Sequence, residues 1–227
     1  MSESAFGPSS SEAQAPSAMD LFGGGSRATT TRDRLVEAAL ELFYTHGFHA
    51  VGLQQILDAV GISKQAFYRH FESKDDLAVE AARLRDRLER AAFETQVRKR
   101  GGNDPAAMLL AMFDVLDTWF NHPDYTGCIF LNDCAEFPDP HDPIHCVAAE
   151  NYRLAEEQIR GLAAAAGASD PVRLAHDLVC LLMGAVTRRL VFGDNTAARM
   201  ARGLAGLVVA GQTTARSADA STPASAG

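Results

Sequence analysis

The sequence predicts an all-α fold in which a small N-terminal three-helix unit precedes a larger helical domain. Apolar residues recur at steps of three and four along most of the 227 residues, and no convincing strand alternation occurs. Glycine and proline clusters separate these stretches. The chain is 47% apolar, enough to bury a core in each of two units. We expect a disordered arm at 1–28, the small unit at 29–73, the larger domain at 74–214 and a disordered tail at 215–227.

The first helix of the small unit is predicted between residues 29 and 47. It follows an arm that is poor in large apolar residues and ends in three glycines. Apolar residues within it share one face, and Gly47 closes it. These residues are Leu35, Ala39, Leu42 and Phe43. They would provide one wall of a small core.

The stretch 53–74 has the pattern of a helix-turn-helix centred on Gly61. Four apolar residues before the glycine have helical spacing: Leu53, Ile56, Leu57 and Val60. Gly61 can adopt the left-handed conformation of a tight turn. Ser63 is a good N-cap for a second helix that starts near Lys64. Because this motif places its second helix in the major groove, we predict that 29–73 is a DNA-binding domain.

The second helix of the motif would present polar side chains to DNA. Phe67 and Phe71 lie one turn apart and would face the core. The residues that remain outside are Lys64, Gln65, Tyr68, Arg69 and His70. Ser73, followed three residues later by Asp76, predicts the start of the next helix. The recognition helix is thus bounded on both sides.

Three short runs closely resemble the TetR (tetracycline repressor) family: Ala59-Val60-Gly61-Ile62-Ser63, Phe67-Tyr68-Arg69-His70-Phe71 and Ser73-Lys74-Asp75-Asp76-Leu77. The run RLVEAALELFYTHG at 34–47 resembles the first helix of that family, so the resemblance covers roughly residues 30–77. One departure is Gly52, where the family usually carries Thr or Ser that caps the second helix and touches phosphate. Glycine still caps a helix but lacks that side-chain contact.

The resemblance implies a twofold dimer that reads near-palindromic operator DNA. Carried over residue by residue, it assigns Lys64 and Gln65 to base edges, and Tyr68, His70 and Lys74 to phosphates. Gln pairs with adenine and Lys with guanine. Packing against the neighbouring helix is the alternative for Tyr68 and His70.

The function that the resemblance implies is sequence-specific transcriptional regulation by a repressor that a small-molecule inducer releases from its operator. The alternatives are a non-inducible DNA binder, an activator, or a thiol-based redox or electrophile sensor that acts through Cys128. Cys128 lies near a predicted helix N-terminus, which can lower the pKa of a thiol. A buried, inert cysteine is the competing interpretation.

The net charge of −8 is unevenly distributed. Within 62–74 there are three basic residues and one acidic residue, whereas 101–150 contains nine acidic residues and neither Lys nor Arg. The DNA-binding end is therefore locally basic. Carboxylates around a cavity in 101–150 would suit a lipophilic cation, and a solvated acidic surface is the simpler interpretation.

The larger domain begins with a connecting helix at 74–100. Further helices are predicted near 104–121, 127–137, 143–166, 171–192 and 196–214. The last two are the predicted homodimer surface, which would form a four-helix bundle with a second copy. The apolar residues expected there are Leu174, Leu178, Leu181, Leu182, Ala185, Val186, Met200, Leu204, Leu207 and Val208. Ordinary core within one chain is the alternative.

A ligand cavity is expected where aromatic and polar residues mix between 113 and 152. The candidate ligand-binding residues are Phe113, Trp119, Phe120, Cys128, Asn132, Glu136 and Tyr152. Aromatic residues at helical spacing also form ordinary cores, and periodicity alone does not separate the two.

Other classes of function find little support. The chain has no GxSxG, HExxH, P-loop or GxGxxG motif, so we expect no enzyme and no cofactor. The four cysteines form no CxxC pair, and Pro143 would place His141 outside the helix that carries His145, so we expect no metal site. No transmembrane-length run or signal peptide is recognisable, which favours a cytoplasmic protein without membrane contact.

Overall fold

The computed structural model describes residues 28–219 except residues 124 and 126, and regular secondary structure in this part consists of α-helices alone. The all-α prediction is confirmed. The helices are α1 (Thr31–His46), α2 (Leu53–Val60), α3 (Lys64–Phe67), α4 (Lys74–Gly101), α5 (Pro105–Phe120), α6 (Ile129–Glu136), α7 (Pro143–Ala165), α8 (Pro171–Phe192) and α9 (Ala197–Asp219). The bounds of α4 to α8 agree closely with the predicted ones.

Local hydrogen bonds set the starts of the first helices. Thr30 and Asp33 form a capping box at α1, in which each side chain accepts from the other's backbone N–H over 3.1 Å. Gly61 ends α2 with φ +73°, the left-handed conformation predicted for it. The Ser63 hydroxyl accepts from the backbone N–H of Ala66 over 3.2 Å and caps α3, also as predicted.

The recognition helix is shorter than the sequence suggests. α3 ends at Phe67, and residues 68–70 continue as turns. The backbone N–H of His70 donates to the carbonyl oxygen of Phe67, an i to i−3 bond that tightens the last turn. Phe67 and Phe71 are nonetheless buried as predicted, and their rings stack with centroids 5.8 Å apart. The residues of this segment that were predicted to face outward therefore still do so, although the helix is shorter.

α4 joins the two domains. Its first turns, with Leu77 and Ala81, complete the core of the N-terminal unit. Its far end packs against α5 so closely that a Cβ at Gly101 would lie 2.6 Å from Cα of Met108. A single helix of 28 residues thus runs from the recognition unit into the larger domain.

The core of the larger domain forms around α5. Leu109 and Phe113 of α5 are fully buried, and they belong to the same core as Leu174 and Leu178 of α8 and Ala205 of α9. Several residues of the predicted dimer surface therefore lie inside one chain.

The predicted dimer surface needs correction at the level of residues. Leu174, Leu178, Ala185 and Val186 are buried within the chain, and Leu181, Leu182 and Val208 pack against the same core. α8 carries apolar residues on more than one face, and helical spacing alone does not tell which face meets the chain's own core. The large apolar residues left exposed on α8 and α9 are Val172, Met183, Leu190, Val191, Phe192, Met200, Leu204 and Leu207.

The chain ends also differ in part from expectation. α9 continues to Asp219, so 215–219 is helical where a disordered tail was predicted. Residues 1–27, nearly all of the predicted arm, lie outside the described residues, and so do residues 220–227.

Candidate DNA-binding surface and ligand cavity

The helix-turn-helix presents a polar surface around α3. Lys64, Gln65 and His70 are exposed, and 53% of Tyr68 is accessible. Arg69 is exposed beside them, and its guanidinium has no hydrogen bond or ion pair with any of the residues that the structure describes. Four of the five predicted DNA-contacting residues therefore share one open surface with Arg69. We call the surface formed by Lys64, Gln65, Tyr68, Arg69 and His70 the α3 surface.

Lys74, the fifth predicted DNA-contacting residue, has a different environment. Its Nζ donates to the carbonyl oxygens of Phe48 and Val51 over 3.1 and 2.9 Å. The same ammonium lies 3.9 Å from the centroid of the Phe48 ring. Lys74 therefore connects the loop between α1 and α2 to the start of α4 by hydrogen bonds. Sequence reasoning missed this role because the acceptors are backbone carbonyls that no side-chain pattern reveals.

Arginines of α1 are engaged in the fold. Arg32 forms an ion pair of 3.0 Å with Glu80, and Arg34 donates to the carbonyl oxygen of Val60 over 2.6 Å. At Gly52, the cap of α2, the backbone N–H donates to Gln55 Oε1 over 2.7 Å. Position 52 has no side chain to offer. Among the described residues near α3, the basic side chains available to phosphate are mainly Lys64 and Arg69.

A cavity of about 180 Å³ lies within the larger domain, bordered by α4, α5, α7, α8 and the start of α6. Trp119, Cys128 and Tyr152, all predicted ligand-binding residues, line it. We call this space the inner cavity. Phe113 and Phe120 do not line it, because they are almost completely buried in the core beside it.

The two remaining candidates, Asn132 and Glu136, line a second space. This interdomain cleft, about 190 Å³, lies between the N-terminal unit and α6. Glu136 accepts from the backbone N–H of His49 over 3.2 Å, and the rings of Phe48 and Phe137 meet at 5.2 Å. α6 faces the inner cavity on one side and the cleft on the other, so helix periodicity alone did not separate the two sets.

Asp133 of α6 also lines the cleft. Burial, assisted by the nearby carboxylates of Glu136 and Glu89, raises its pKa to about 7. A carboxyl group that titrates near neutrality therefore lies where the two domains meet.

The thiol of Cys128 is held protonated by its surroundings. Its Sγ lies 3.5 Å from the hydroxyl oxygen of Tyr152. Burial raises the pKa of Cys128, and the hydrogen bond from Tyr152 only partly opposes this effect. Burial raises the pKa of Tyr152 as well. Both groups are neutral donors or acceptors at physiological pH.

Charged side chains at the inner cavity occur as pairs along α4. Glu89 forms an ion pair with Arg85, and Arg90 forms one with Asp86. Asp86 also accepts from the side-chain amide of Asn151 over 2.8 Å. Burial raises the pKa of Glu89, and Arg85 opposes the shift. The i,i+4 spacing of both pairs is visible in the sequence, but it is equally typical of exposed helix faces.

The acidic residues of 101–150 do not surround the inner cavity. Asp114 and Asp117 form ion pairs with Arg202 and Arg199, and Glu150 forms one with Arg153. Asp104 and Asp142 cap α5 and α7. The structure does not describe residue 124.

No group of three or more His, Cys, Asp or Glu side chains among the described residues is arranged to hold a metal ion. The ring Nδ1 of His145 lies 2.7 Å from the carbonyl oxygen of Phe137. None of the helices in this part has the length and apolar character needed to cross a membrane.

Both domains match models of known protein families. Residues 35–81 match the family model described as "Bacterial regulatory proteins, tetR family", and residues 105–204 match "Tetracyclin repressor-like, C-terminal domain". The transcriptional regulator TcmR of Streptomyces glaucescens is 40% identical over 86 residues, which is 38% of this chain and 37% of that protein. YjdC of Escherichia coli is 25% identical over 161 residues, covering 70% of this chain and 83% of that protein.

Solved structures extend the similarity to the whole fold. A TetR-family transcriptional regulator from Streptomyces coelicolor is 27% identical with a TM-score of 0.72, covering 85% of this chain and 98% of the other. A tetr-transcriptional regulator from Streptomyces avermitilis is 31% identical with a TM-score of 0.64, covering 84% and 98%. With both domains matched in order and structure, the chain belongs to the TetR family of transcriptional regulators.

Proposed function

We propose that this protein is a cytoplasmic, homodimeric repressor that binds a near-palindromic operator and leaves it when a small molecule occupies the inner cavity. The observation that carries the proposal is the combination of an open α3 surface with a cavity joined to it through α4. It acts by binding and not by catalysis.

The DNA-binding role is assigned to the α3 surface. Lys64 and Gln65, at the start of α3, are placed on base edges, and Tyr68, Arg69 and His70 are placed on phosphates. Lys74 contributes by fixing the loop before α2. Selection of duplexes from a random library by the full-length protein would test this role. Enrichment of an inverted repeat supports it, and indifference to sequence contradicts it.

The dimer role is assigned to the exposed faces of α8 and α9. Phe192 is 72% exposed and Leu207 is 73% exposed, and they belong to eight large apolar side chains left exposed on these two helices. Grouped exposed apolar side chains are typical of a protein–protein interface. Pairing of the two faces about a twofold axis would bury them in a four-helix bundle. It would also set the spacing of the two α3 surfaces, as a palindromic operator requires.

Release by a ligand follows from the position of the inner cavity. Glu89, Arg90 and Phe93 of α4 line it, and α4 begins at the DNA-binding domain. A ligand that binds one orientation of α4 more tightly than another shifts the dimer away from its operator-binding state. Operator affinity measured across a metabolite library would test this step. Operator retention with every compound that binds the cavity would favour a non-inducible regulator.

A further inference from the structure

The chemical class of the ligand can be inferred from the walls of the inner cavity, on the basis of the function proposed above. Four aromatic side chains reach it from four different helices. They are Phe93 of α4, Trp119 of α5, Phe130 of α6 and Tyr152 of α7. Aromatic walls on several sides favour a ligand with flat rings that can stack or meet ring edges.

The size of the cavity limits the ring system. An apolar cavity of roughly 150 Å³ in another protein holds benzene, and the inner cavity measures about 180 Å³. It therefore suits one ring or two fused rings with a small substituent.

Among the described residues at the cavity, each charged group already has a partner of opposite charge. Glu89 is neutralised by Arg85, and Arg90 is neutralised by Asp86. An organic cation would need a free carboxylate, and an organic anion would need a free guanidinium. Either ion would be desolvated without a counterion unless it broke an existing pair, and both alternatives weaken binding.

One polar contact in the cavity is weak and can be exchanged. The hydroxyl of Tyr152 faces Cys128 Sγ at 3.5 Å, and sulfur is a poor hydrogen-bond partner. A carbonyl or hydroxyl oxygen on the ligand would give this hydroxyl a stronger partner. The exchange would fix the orientation of a ring system that the apolar walls alone would leave free.

We propose that the inner cavity binds an uncharged one- or two-ring aromatic molecule whose carbonyl or hydroxyl group hydrogen-bonds to Tyr152. This assignment replaces the lipophilic cation that an acidic cavity would have favoured, since the acidic residues of 101–150 that the structure describes lie outside the inner cavity.

A matched series of naphthalene probes tests the charge requirement. Isothermal titration of the full-length protein at pH 7 would compare 2-acetylnaphthalene with 2-naphthoate and with trimethyl(naphthalen-2-ylmethyl)ammonium. We expect the neutral ketone to bind at least about tenfold more tightly than either ion, because only the ions lose hydration without a counterion. Equal or tighter binding of either ion, or no binding of the ketone, overturns the proposal.

The site is tested by filling the cavity. Ala155 lines it on α7, whereas Ala164 is exposed further along the same helix. Ala155→Phe should abolish binding of the ketone, and Ala164→Phe should leave it unchanged. Unaltered binding by a folded Ala155→Phe protein would place the ligand elsewhere and contradict the proposal.

The Tyr152 contact is tested by comparing two probes, with and without an acceptor oxygen, on the same variant. An effect of the substitution on folding would weaken the binding of both probes equally. In Tyr152→Phe, binding of 2-acetylnaphthalene should weaken roughly fivefold, the effect of one neutral hydrogen bond. Binding of 2-ethylnaphthalene, which has no acceptor, should not change. Equal weakening of both probes would indicate a structural role for the hydroxyl and refute the contact.

Operator binding provides the separate readout of function. If the ketone binds the inner cavity while the operator complex persists, the ligand class stands and inducible repression fails. If the ketone both binds and releases the operator, both proposals are supported.

Discussion

The ammonium of Lys74 donates a 2.9 Å hydrogen bond to the carbonyl oxygen of Val51, which joins the first residue of α4 to the loop that leads into α2. A second bond of 3.1 Å to Phe48 completes this attachment. The orientation of the helix-turn-helix on α4 therefore depends on a lysine that the family resemblance assigns to phosphate.

Substitution of Lys74 by Met distinguishes these two roles. Methionine keeps much of the apolar stem but removes the ammonium donor from two half-buried carbonyls, so we expect a loss of roughly 1–3 kcal/mol in the free energy of unfolding. Denaturant unfolding measures it. If unfolding is unchanged while affinity for every duplex falls equally, Lys74 serves phosphate instead.

Gln65 and Arg69 should affect DNA binding in different ways. Gln65→Ala should cost roughly 1–3 kcal/mol against the selected operator and little against unrelated duplexes, because a base-edge contact is lost. Arg69→Ala should weaken binding to both kinds of duplex. It should also reduce the salt dependence of the affinity by about one counterion per DNA-binding domain. Fluorescence anisotropy across a salt series gives both quantities.

Lys99 provides the control for these two variants. It is exposed near the far end of α4, away from the α3 surface. Lys99→Ala should leave operator affinity and salt slope unchanged. A loss at Lys99 equal to that at Arg69 would indicate a general effect of net charge and would remove the argument for a defined phosphate contact.

Leu207→Glu should convert the dimer into a folded monomer. Leu207 is 73% exposed within one chain, so a carboxylate there costs little in the monomer but is buried without a partner in the proposed bundle. Sedimentation equilibrium measures the dissociation constant, which we expect to rise by at least about a hundredfold, or roughly 2.7 kcal/mol.

Two comparisons make the dimer test specific. Ala164→Glu places the same charge on the exposed side of α7 and should leave the dimer intact. Leu178→Glu alters a fully buried residue and should unfold the chain instead of dissociating it. A Leu207→Glu protein that remains dimeric would exclude this face as the interface.

The contrast between Leu178 and Leu207 shows where sequence reasoning succeeded and where it failed. Gly61 and Ser63 were assigned correctly because turns and caps depend on a few neighbouring residues. The buried face of α8 was not assigned correctly. Which face of this helix is buried depends on packing against α7 and α9, and local spacing does not encode that packing.

The candidate ligand site has the same limitation. α5 is apolar around most of its circumference, so Phe113 in the core and Trp119 at the cavity have equivalent patterns. The charged pairs of α4 at the cavity were missed for a related reason, since the sequence does not reveal that α7 covers them.

Asp133 should make stability depend on pH near neutrality. Its pKa is raised from 3.8 to about 7 in the folded protein, so the folded state holds the proton more tightly than the unfolded state. The associated stability is complete below about pH 4 and is lost as pH rises to about 7. Asp133→Asn should therefore gain stability relative to the natural protein between pH 5 and 8, by up to roughly 3 kcal/mol.

Unfolding of both proteins at several pH values measures this divergence. Glu72→Gln, which neutralises an exposed carboxylate in the DNA-binding domain, is the matched control and should follow the natural protein. A constant difference between Asp133→Asn and the natural protein across this range would show that Asp133 is ionised throughout.

Cys128 should react more slowly than Cys146 with an alkylating agent. Burial raises the pKa of Cys128, and each unit of increase lowers the thiolate fraction about tenfold, whereas Cys146 is exposed. Treatment with iodoacetamide at pH 7.5, followed by peptide mass mapping, should label Cys146 at least about ten times faster. Because thiolate is the nucleophile, this order argues against Cys128 as a sensor of electrophiles. If Cys128 is labelled first and its alkylation releases the operator, the aromatic ligand is no longer needed to explain induction, and thiol chemistry takes its place.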